Sequence, residues 1–435
     1  MVRRACRARI IVSKGNGRST LASFVEYGIS TFLAGAESLY LLHLEHTYNT
    51  CFPRSFSAIA NSEPLYMKFL FWISFALIAY VYLGYAILLA LYSRLRRHPI
   101  RSEQLTPTVS IVVAARNEAT NLPAKLQNLR QLDYPRELLQ IIIASDGSTD
   151  STPEILLSYA PEIIPVILDQ SHGKANALNQ AVRCATANIL VFLDVRQAVD
   201  PNAISELVAY FADPSVGAVS GELLLESAIG EPSEDALGIY WKIEKHLRKL
   251  ESATGSVVGV TGAIYAIRRE LYTPIPVGTI LDDVFIPMHV ARTGHRVVFQ
   301  PAAIARDYLF SEKGKEFSRK VRTLTGNYQL LRLAPWLLSP ANPLLFRFIS
   351  HKLLRLLVPL FMVLMMVASI MSSGSFYRTV FWLQIVFYVL AIFGILSPST
   401  RKFKPVAIAN TFVMLNAAAA LAFYNFVVGR KRVWV

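Results

Sequence analysis

Asp282-Asp283, set between Gly278-Thr-Ile-Leu281 and a helical stretch, offers the clearest opening for chemistry in this chain. Two adjacent carboxylates repel, which raises the proton affinity of one and suits it to take a proton from an attacking hydroxyl; a pair of helix caps is the plainer alternative. Leu193-Asp-Val-Arg196 closes an apolar run. A carboxylate there could hold a hard cation such as Mg²⁺ or Mn²⁺ against a diphosphate, or simply pair with Arg196. Gly173-Lys-Ala-Asn-Ala-Leu-Asn179 starts a helix whose free N–H groups and ammonium can attract phosphate, a solvated lysine near a helix start being the plainer alternative. It lacks the second glycine and the Lys-Ser/Thr pair of a Walker loop. Asp146-Gly-Ser-Thr-Asp150 can accept hydrogen bonds from a ribose or a base edge, or can be an ordinary turn. Arg116-Asn-Glu118 would face the same crevice, while Asp150-Ser-Thr reads as a helix cap. Arg319, Lys320 and Arg322 share one amphipathic segment, which either lies on a membrane surface or brings Arg322 to charge developing on a leaving diphosphate.

The elements that must position these groups alternate in type. Val109–Ala114, Leu139–Ala144, Pro165–Leu168 and Ile189–Leu193 read as strands; Ala119–Arg130, Pro153–Tyr159 and Ala175–Ala185 read as helices. Such alternation predicts an α/β fold with a mainly parallel sheet covered on both faces. Asp146 and Asp194 directly follow strands, so both should edge the crevice at the strands' carboxyl ends. A further strand to Leu225 and helices around Tyr240–Glu251, from Asp283 and over Glu312–Leu331 complete the series.

At 53% hydrophobic and 17% charged, the 435-residue chain is too apolar to be wholly soluble. Phe69–Ser93, Leu356–Phe376, Thr379–Thr400 and Pro405–Gly429 are uncharged and reach the roughly 20 residues that cross a bilayer. The formal charge of +14 lies largely at the ends of these runs, at Arg94, Arg96 and Arg97, at His351, Lys352 and Arg355, and at Arg401, Lys402 and Lys404. That distribution marks the cytoplasmic side of a multi-pass inner-membrane protein rather than a nucleic-acid surface. With three crossings after the central domain, Gly429-Arg-Lys-Arg432 would fall outside, so the Asn- and Ala-rich last run has re-entrant or interfacial alternatives. Three cysteines without CxxC spacing exclude a disulfide framework or zinc site. The expected domains are 1–66, a poorly ordered extension or one foreign to the native protein; 67–97, a first span; 104–335, a cytoplasmic domain; and 336–435, an interfacial helix with about three spans.

Taken in order, Ala115-Arg-Asn-Glu118, Ser145-Asp-Gly-Ser148, Lys174…Asn179, Leu193-Asp194, Asp282-Asp283 and Arg319–Thr323 resemble the membrane-embedded family 2 glycosyltransferases. That group makes cellulose, chitin, hyaluronan and poly-N-acetylglucosamine. The resemblance covers about Thr106 to the C-terminus and implies a GT-A-type nucleotide-sugar-binding domain between transmembrane helices. It implies donor contacts from Asp146, at the uridine, and from Glu118, Lys174, Asn179, Arg196 and Arg319. Asp194 would be the metal ligand, for Mg²⁺ or Mn²⁺, Asp283 the general base beside Asp282, and Arg322 the arginine of a QxxRW-like motif; Gly259–Gly262 would fall near the acceptor. Two positions depart from the pattern: Arg196 replaces the second metal carboxylate, and Thr323 replaces the tryptophan expected beside the acceptor sugar. The implied activity is inverting transfer of one or a few sugars from a nucleotide sugar, UDP being the expected nucleotide, to a hydroxyl of a glycan or lipid acceptor, among membrane lipids and without nucleic acid. A polyprenyl-phosphate glycosyltransferase and a non-catalytic nucleotide-binding scaffold are the alternatives.

Overall fold

Strands that are apolar on both faces must be covered on both faces, and the central strands here are. In the computed structural model, which describes residues 65–227, 235–309 and 315–429, β1 (Val109–Ala115) is buried along its whole length. Together with β2 (Leu139–Asp146), β3 (Ile164–Leu168), β4 (Ile189–Asp194), β5 (Ala198–Val199), β6 (Val216–Ser227), β7 (Ile264–Arg268) and β8 (Arg296–Leu309) it forms an eight-stranded sheet ordered β3-β2-β1-β4-β7-β6-β8-β5. β1 pairs in parallel with both β2 and β4, and β2 with β3. The chain thus builds outward on one side of β1, then crosses to β4 on the other, opening a crevice at the carboxyl ends of β1 and β4. The sheet is mixed beyond that point, because β7 runs antiparallel to both β4 and β6.

One face carries α2 (Leu122–Arg130) through Leu122, Leu126 and Leu129, and α5 (Ala203–Val208) through Ile204 and Leu207. The other carries α4 (Lys174–Arg183) through Ala177, Leu178 and Ala181, and α7 (Asp282–Arg292) through Phe285, Ile286 and Val290. Two shorter helices, α3 (Thr152–Ser158) and the first turn of α2, start at prolines in positions where a missing N–H costs nothing. α6 (Asp235–Ala253) packs against β8, and α8 (Lys315–Leu333) against the last long helix of the chain. The expected segment 1–66 lies outside the described residues except for its last two, which open the first long helix.

Among the described residues, four helices are long and apolar enough to cross a membrane: α1 (Leu65–Leu95), α9 (Leu345–Met371), α10 (Ser375–Leu396) and α11 (Lys404–Val427). Leu360, Trp382, Leu383 and Phe423 on their outer surfaces are about half exposed or more, the arrangement a lipid surround requires. Polar side chains face inward between helices instead. Gln384 donates to Ser369 at 3.2 Å, Asn416 to the Tyr82 hydroxyl at 3.1 Å and Asn410 to the Ala391 carbonyl at 3.2 Å. Such bonds act as interhelical glue, and they explain the asparagines of the last run: α11 is one continuous helix.

The basic cluster at the start of α9 faces the sheet domain. His351 is buried between Glu251, at 2.9 Å from Nδ1, and Glu244, at 3.2 Å from Nε2; Arg355 reaches Glu244 at 3.1 Å. Tyr85 of α1 donates to the same Glu251 oxygen at 2.8 Å, and Arg347 donates to the carbonyls of Glu251, Thr254 and Ser256. Burial alone would raise both glutamates; His351, joined by Arg355 and Arg248 at Glu244 and by Tyr85 and Arg347 at Glu251, outweighs it and holds them below the ordinary carboxylate range. α6 is thereby locked to two membrane helices at once. Removing one member of a buried charge pair costs about 3–5 kcal/mol. Glu251→Ala is therefore expected to lower the thermal midpoint of the detergent-solubilised protein steeply, and Glu251→Gln, which keeps an acceptor for Tyr85, to lower it less.

Candidate active site

Lys174, the first residue of α4, stands where the two halves of the sheet meet. Its Nζ lies 2.9 Å from Asp194 at the end of β4 and 3.4 Å from Asp282 at the start of α7. Burial works against the ammonium, but Asp194, Asp282 and Asp283 outweigh it and hold its pKa well above that of a free lysine. Three carboxylates around one ammonium leave a net negative centre. Asp282 Oδ2 has the Lys174 ammonium at 3.4 Å but no hydrogen bond, and Asp283 Oδ1 is buried with no hydrogen-bond partner; a buried polar atom left without a hydrogen bond calls for an explanation such as a ligand contact. Asp283 is pushed up to about 6, chiefly by burial and then by Asp282, with Lys174 and Lys352 pulling the other way. A carboxylate poised there can exchange a proton near neutrality.

Side chains beneath this centre belong to residues that sequence reasoning passed over. Tyr265 of β7 stacks on Phe192 of β4 with ring centroids 4.7 Å apart, and its buried hydroxyl has no partner. Burial, followed by Asp282, keeps that hydroxyl protonated far above the usual range. Lys125 of α2 donates to the Gln197 carbonyl at 2.8 Å, and burial draws its pKa down to about 7. Its spacing between Leu122 and Leu129, on the apolar stripe of α2, was the signal that could have found it.

Asp146 is completely enclosed. Its carboxylate accepts hydrogen bonds from Ser171 Oγ at 2.7 Å, His172 N at 2.9 Å and Gly173 N at 2.9 Å. It therefore shapes the turn that delivers Lys174 rather than presenting an open face to the crevice. The loop after β1 is stitched to the loop after β2: Asn117 Oδ1 accepts from Thr149 N at 2.8 Å, Ala119 N donates to Asp150 at 3.0 Å and Glu118 N to Thr152 at 2.9 Å. Glu118 itself is partly buried and accepts from Asn121 at 2.7 Å. Asn179 holds the chain before α7 instead, its Oδ1 accepting from the Tyr272 hydroxyl at 2.6 Å and from Ile275 N at 2.9 Å. Arg196 is drawn to Asp307 on β8 at 2.8 Å, beside Gln197 on the same oxygen at 3.0 Å.

α8 approaches the acid pair through the loop before it. Gln329 accepts from Ile280 N at 2.9 Å and donates to the Gly278 carbonyl at 2.8 Å. Gly326 packs so closely that an added Cβ would sit 2.6 Å from Leu281. Arg322 lies four residues before Gly326 on that same helix face and is partly buried, whereas Arg319 and Thr323 are exposed.

A cation would meet hard oxygen donors here, which suits Mg²⁺ or Mn²⁺. No three His, Cys, Asp or Glu among the described residues are gathered to hold a metal unaided. Asp194 fits the role of single protein ligand, the remaining positions falling to phosphate oxygens and water, a common arrangement for Mg²⁺.

Residues 110–274 match the family described as Glycosyl transferase family 2, and they form a glycosyltransferase domain of that family on which the four long apolar helices are built. The poly-β-1,6-N-acetyl-D-glucosamine synthase of Staphylococcus aureus strain COL is 24% identical over 229 residues, covering 51% of this chain and 55% of its own. The Staphylococcus epidermidis synthase is 23% identical over 244 residues, 54% and 59%. The chain thus spans little more than half the length of these relatives. Among solved structures, the mannosyltransferase PcManGT of Pyrobaculum calidifontis, in complex with GDP-mannose and Mn²⁺, superposes with a TM-score of 0.62 at 22% identity, over 83% of this chain and all of that one. The fold is of the GT-A kind.

Asp146→Ala would strand the buried amide of Gly173, at about 1–3 kcal/mol, and release the part-buried amide of His172 to water. The expected outcome is faster amide hydrogen exchange over residues 171–174 than over β1, measured by mass spectrometry.

Proposed function

We propose that the chain transfers a sugar from a nucleotide sugar, with UDP the expected nucleotide, to a hydroxyl of a glycan or lipid acceptor at the cytoplasmic face of the inner membrane, inverting the anomeric centre. The observation that carries this reading is the Asp194–Lys174–Asp282 bridge with Asp283 beside it at a raised pKa. The staphylococcal relatives make a polymer of N-acetylglucosamine, which favours polysaccharide or glycolipid synthesis. Exposed Thr323, in place of an aromatic ring, favours addition of one or a few sugars.

In this scheme the donor's diphosphate lies against the start of α4, where Lys174 and the free N–H groups meet its charge. A divalent ion held by Asp194 would supply further neutralisation of the diphosphate when bound. The acceptor oxygen attacks the anomeric carbon as the bond to the phosphate oxygen breaks, and that electron pair leaves with the diphosphate. Asp283 takes the acceptor's proton. Arg322, on the helix face turned toward the acid pair, and Arg196, once released from Asp307, lie to either side of the departing charge. Asp282 keeps Asp283 basic and Lys174 in place. Glu118, Asn179 and Arg319 contribute through the loops and helix they order.

A positioned base contributes about 10²–10⁴-fold. Asp283→Asn should cut transfer by that factor with donor affinity, followed by fluorescence quenching or calorimetry, little changed; unaltered turnover would remove Asp283 from this role. Because the base works ionised, kcat/KM should fall as pH drops through about 6. EDTA is expected to stop transfer and Mn²⁺ to restore it, while full activity in EDTA would take the metal out of the scheme.

A further inference from the structure

The residues Gly259-Val-Thr-Gly262 lie against the start of α7 with no space to spare. A Cβ added to Gly259 would meet Val284 Cγ2 at 3.2 Å and the Asp283 carbonyl oxygen at 3.5 Å; one added to Gly262 would meet Asp283 Oδ2 at 3.3 Å. Val260 N donates to the Asp283 carbonyl at 2.9 Å. Close-packed contacts of this kind pass a displacement on rather than absorb it. The seat of this segment therefore decides the seat of Asp283, whose buried Oδ1 has no hydrogen bond of its own to correct it.

Thr261 fixes the segment in turn. Its N–H donates to Ser220 Oγ on β6 at 2.9 Å, and its carbonyl accepts from Ile264 N at 3.0 Å, where β7 begins. The residue is buried, and its hydroxyl accepts from the guanidinium of Arg248 on α6. Glu244, one turn before Arg248, lies 3.7 Å from it and supplies the opposite charge. That same carboxylate is met by His351 at 3.2 Å and Arg355 at 3.1 Å, both from α9. Contacts therefore run without a break from a membrane helix through Glu244, Arg248 and Thr261 to the base. Among them the planar guanidinium supplies a directed bond, which an ammonium or an apolar side chain would supply less well.

We propose that Arg248 is a positioning residue for Asp283: it holds the Thr261 turn on the start of α7, and so keeps the carboxylate at the place from which it takes the acceptor's proton. The inference rests on the reading of Asp283 as the base and deepens it. Placement of the base is then referred to the membrane, because the helix that carries Arg248 is the one locked to α9 and α1. Arg248 touches no reacting atom, so its loss acts on the chemical step and leaves the donor's site as it was.

The test has one readout without turnover and one with it. The full chain in lipid nanodiscs is followed by hydrogen exchange, with fragmentation that resolves the Val260 amide; that amide reports directly on Asp283, its acceptor. Arg248→Met is expected to speed exchange there by about tenfold, the factor for losing one hydrogen bond to a charged group, with β1 unchanged. Thr261→Val removes the same bond from the other side and decides the matter should Arg248→Met fail to fold. The double variant should exchange no faster than the faster single, since residues in contact do not add. Arg248→Lys, which keeps a donor, should recover part of the protection. In turnover of UDP-N-acetylglucosamine or GDP-mannose, kcat should fall by up to about 10²-fold, as for a misplaced group, with donor KM little changed. Wild-type exchange at Val260 in both single variants, additive effects in the double, or a loss confined to donor KM overturns the proposal. Retained turnover in Asp283→Asn discards the base reading instead, whereas normal exchange in Arg248→Met discards the arginine's role and leaves that reading standing.

Discussion

A lysine held between two aspartates from different elements is a demanding arrangement, because Asp282 is buried and Lys174 largely so, while Asp194 keeps part of its contact with water, and none of the three is matched one to one. Lys174 makes it tolerable. Its ammonium spans the end of β4 and the start of α7, so the parallel half of the sheet and the mixed half are joined electrostatically at the place where their loops converge. Asp146, enclosed beneath residues 171–173, fixes the turn from which Lys174 starts. The surplus negative charge that remains is what a divalent cation, or a proton on Asp283, would satisfy.

A second buried charge system does for the membrane helices what Lys174 does for the sheet. Glu244 and Glu251 gather His351, Arg355 and Tyr85 from α9 and α1, and Arg347 threads the carbonyls at the end of α6. Breaking such a network is costly even where building it gains little over apolar packing. Its value here is registry: it sets which turn of α9 meets α6.

Much of this was legible in the residues and some was not. β1, β2 and β4 stood out because strands buried on both faces read as unbroken apolar runs, and the turn residues after them marked the crevice. The stations at Asp194, Lys174 and Asp282 were found individually, but that one ammonium joins the other two is a three-dimensional fact with no local signature. β7 hid in a glycine-rich stretch, and β8 was missed because Gln300-Pro301 interrupts its apolar pattern. Asn179 and Asp146 looked like ligand contacts because polar residues at strand ends and helix starts do either job; burial decides, and burial depends on which loop folds over them. His351, Lys352 and Arg355 read as the charged border of a span, since spacing alone cannot reveal that acids on a distant helix await them.

The antiparallel strand β7 carries a kinetic corollary. By bringing Tyr265 against Phe192 and leading the chain on to Asp282, it makes the acidic centre out of segments separated by more than a hundred residues, 174 to 283. Contacts of that span form slowly and only after long loops have closed. The early βαβ units can pair among themselves as the chain emerges, but reactivity waits for the late half to arrive. During synthesis the Lys174–Asp282 contact must wait until α7 has been made, so a chain released short of it carries the early strands without the acid pair.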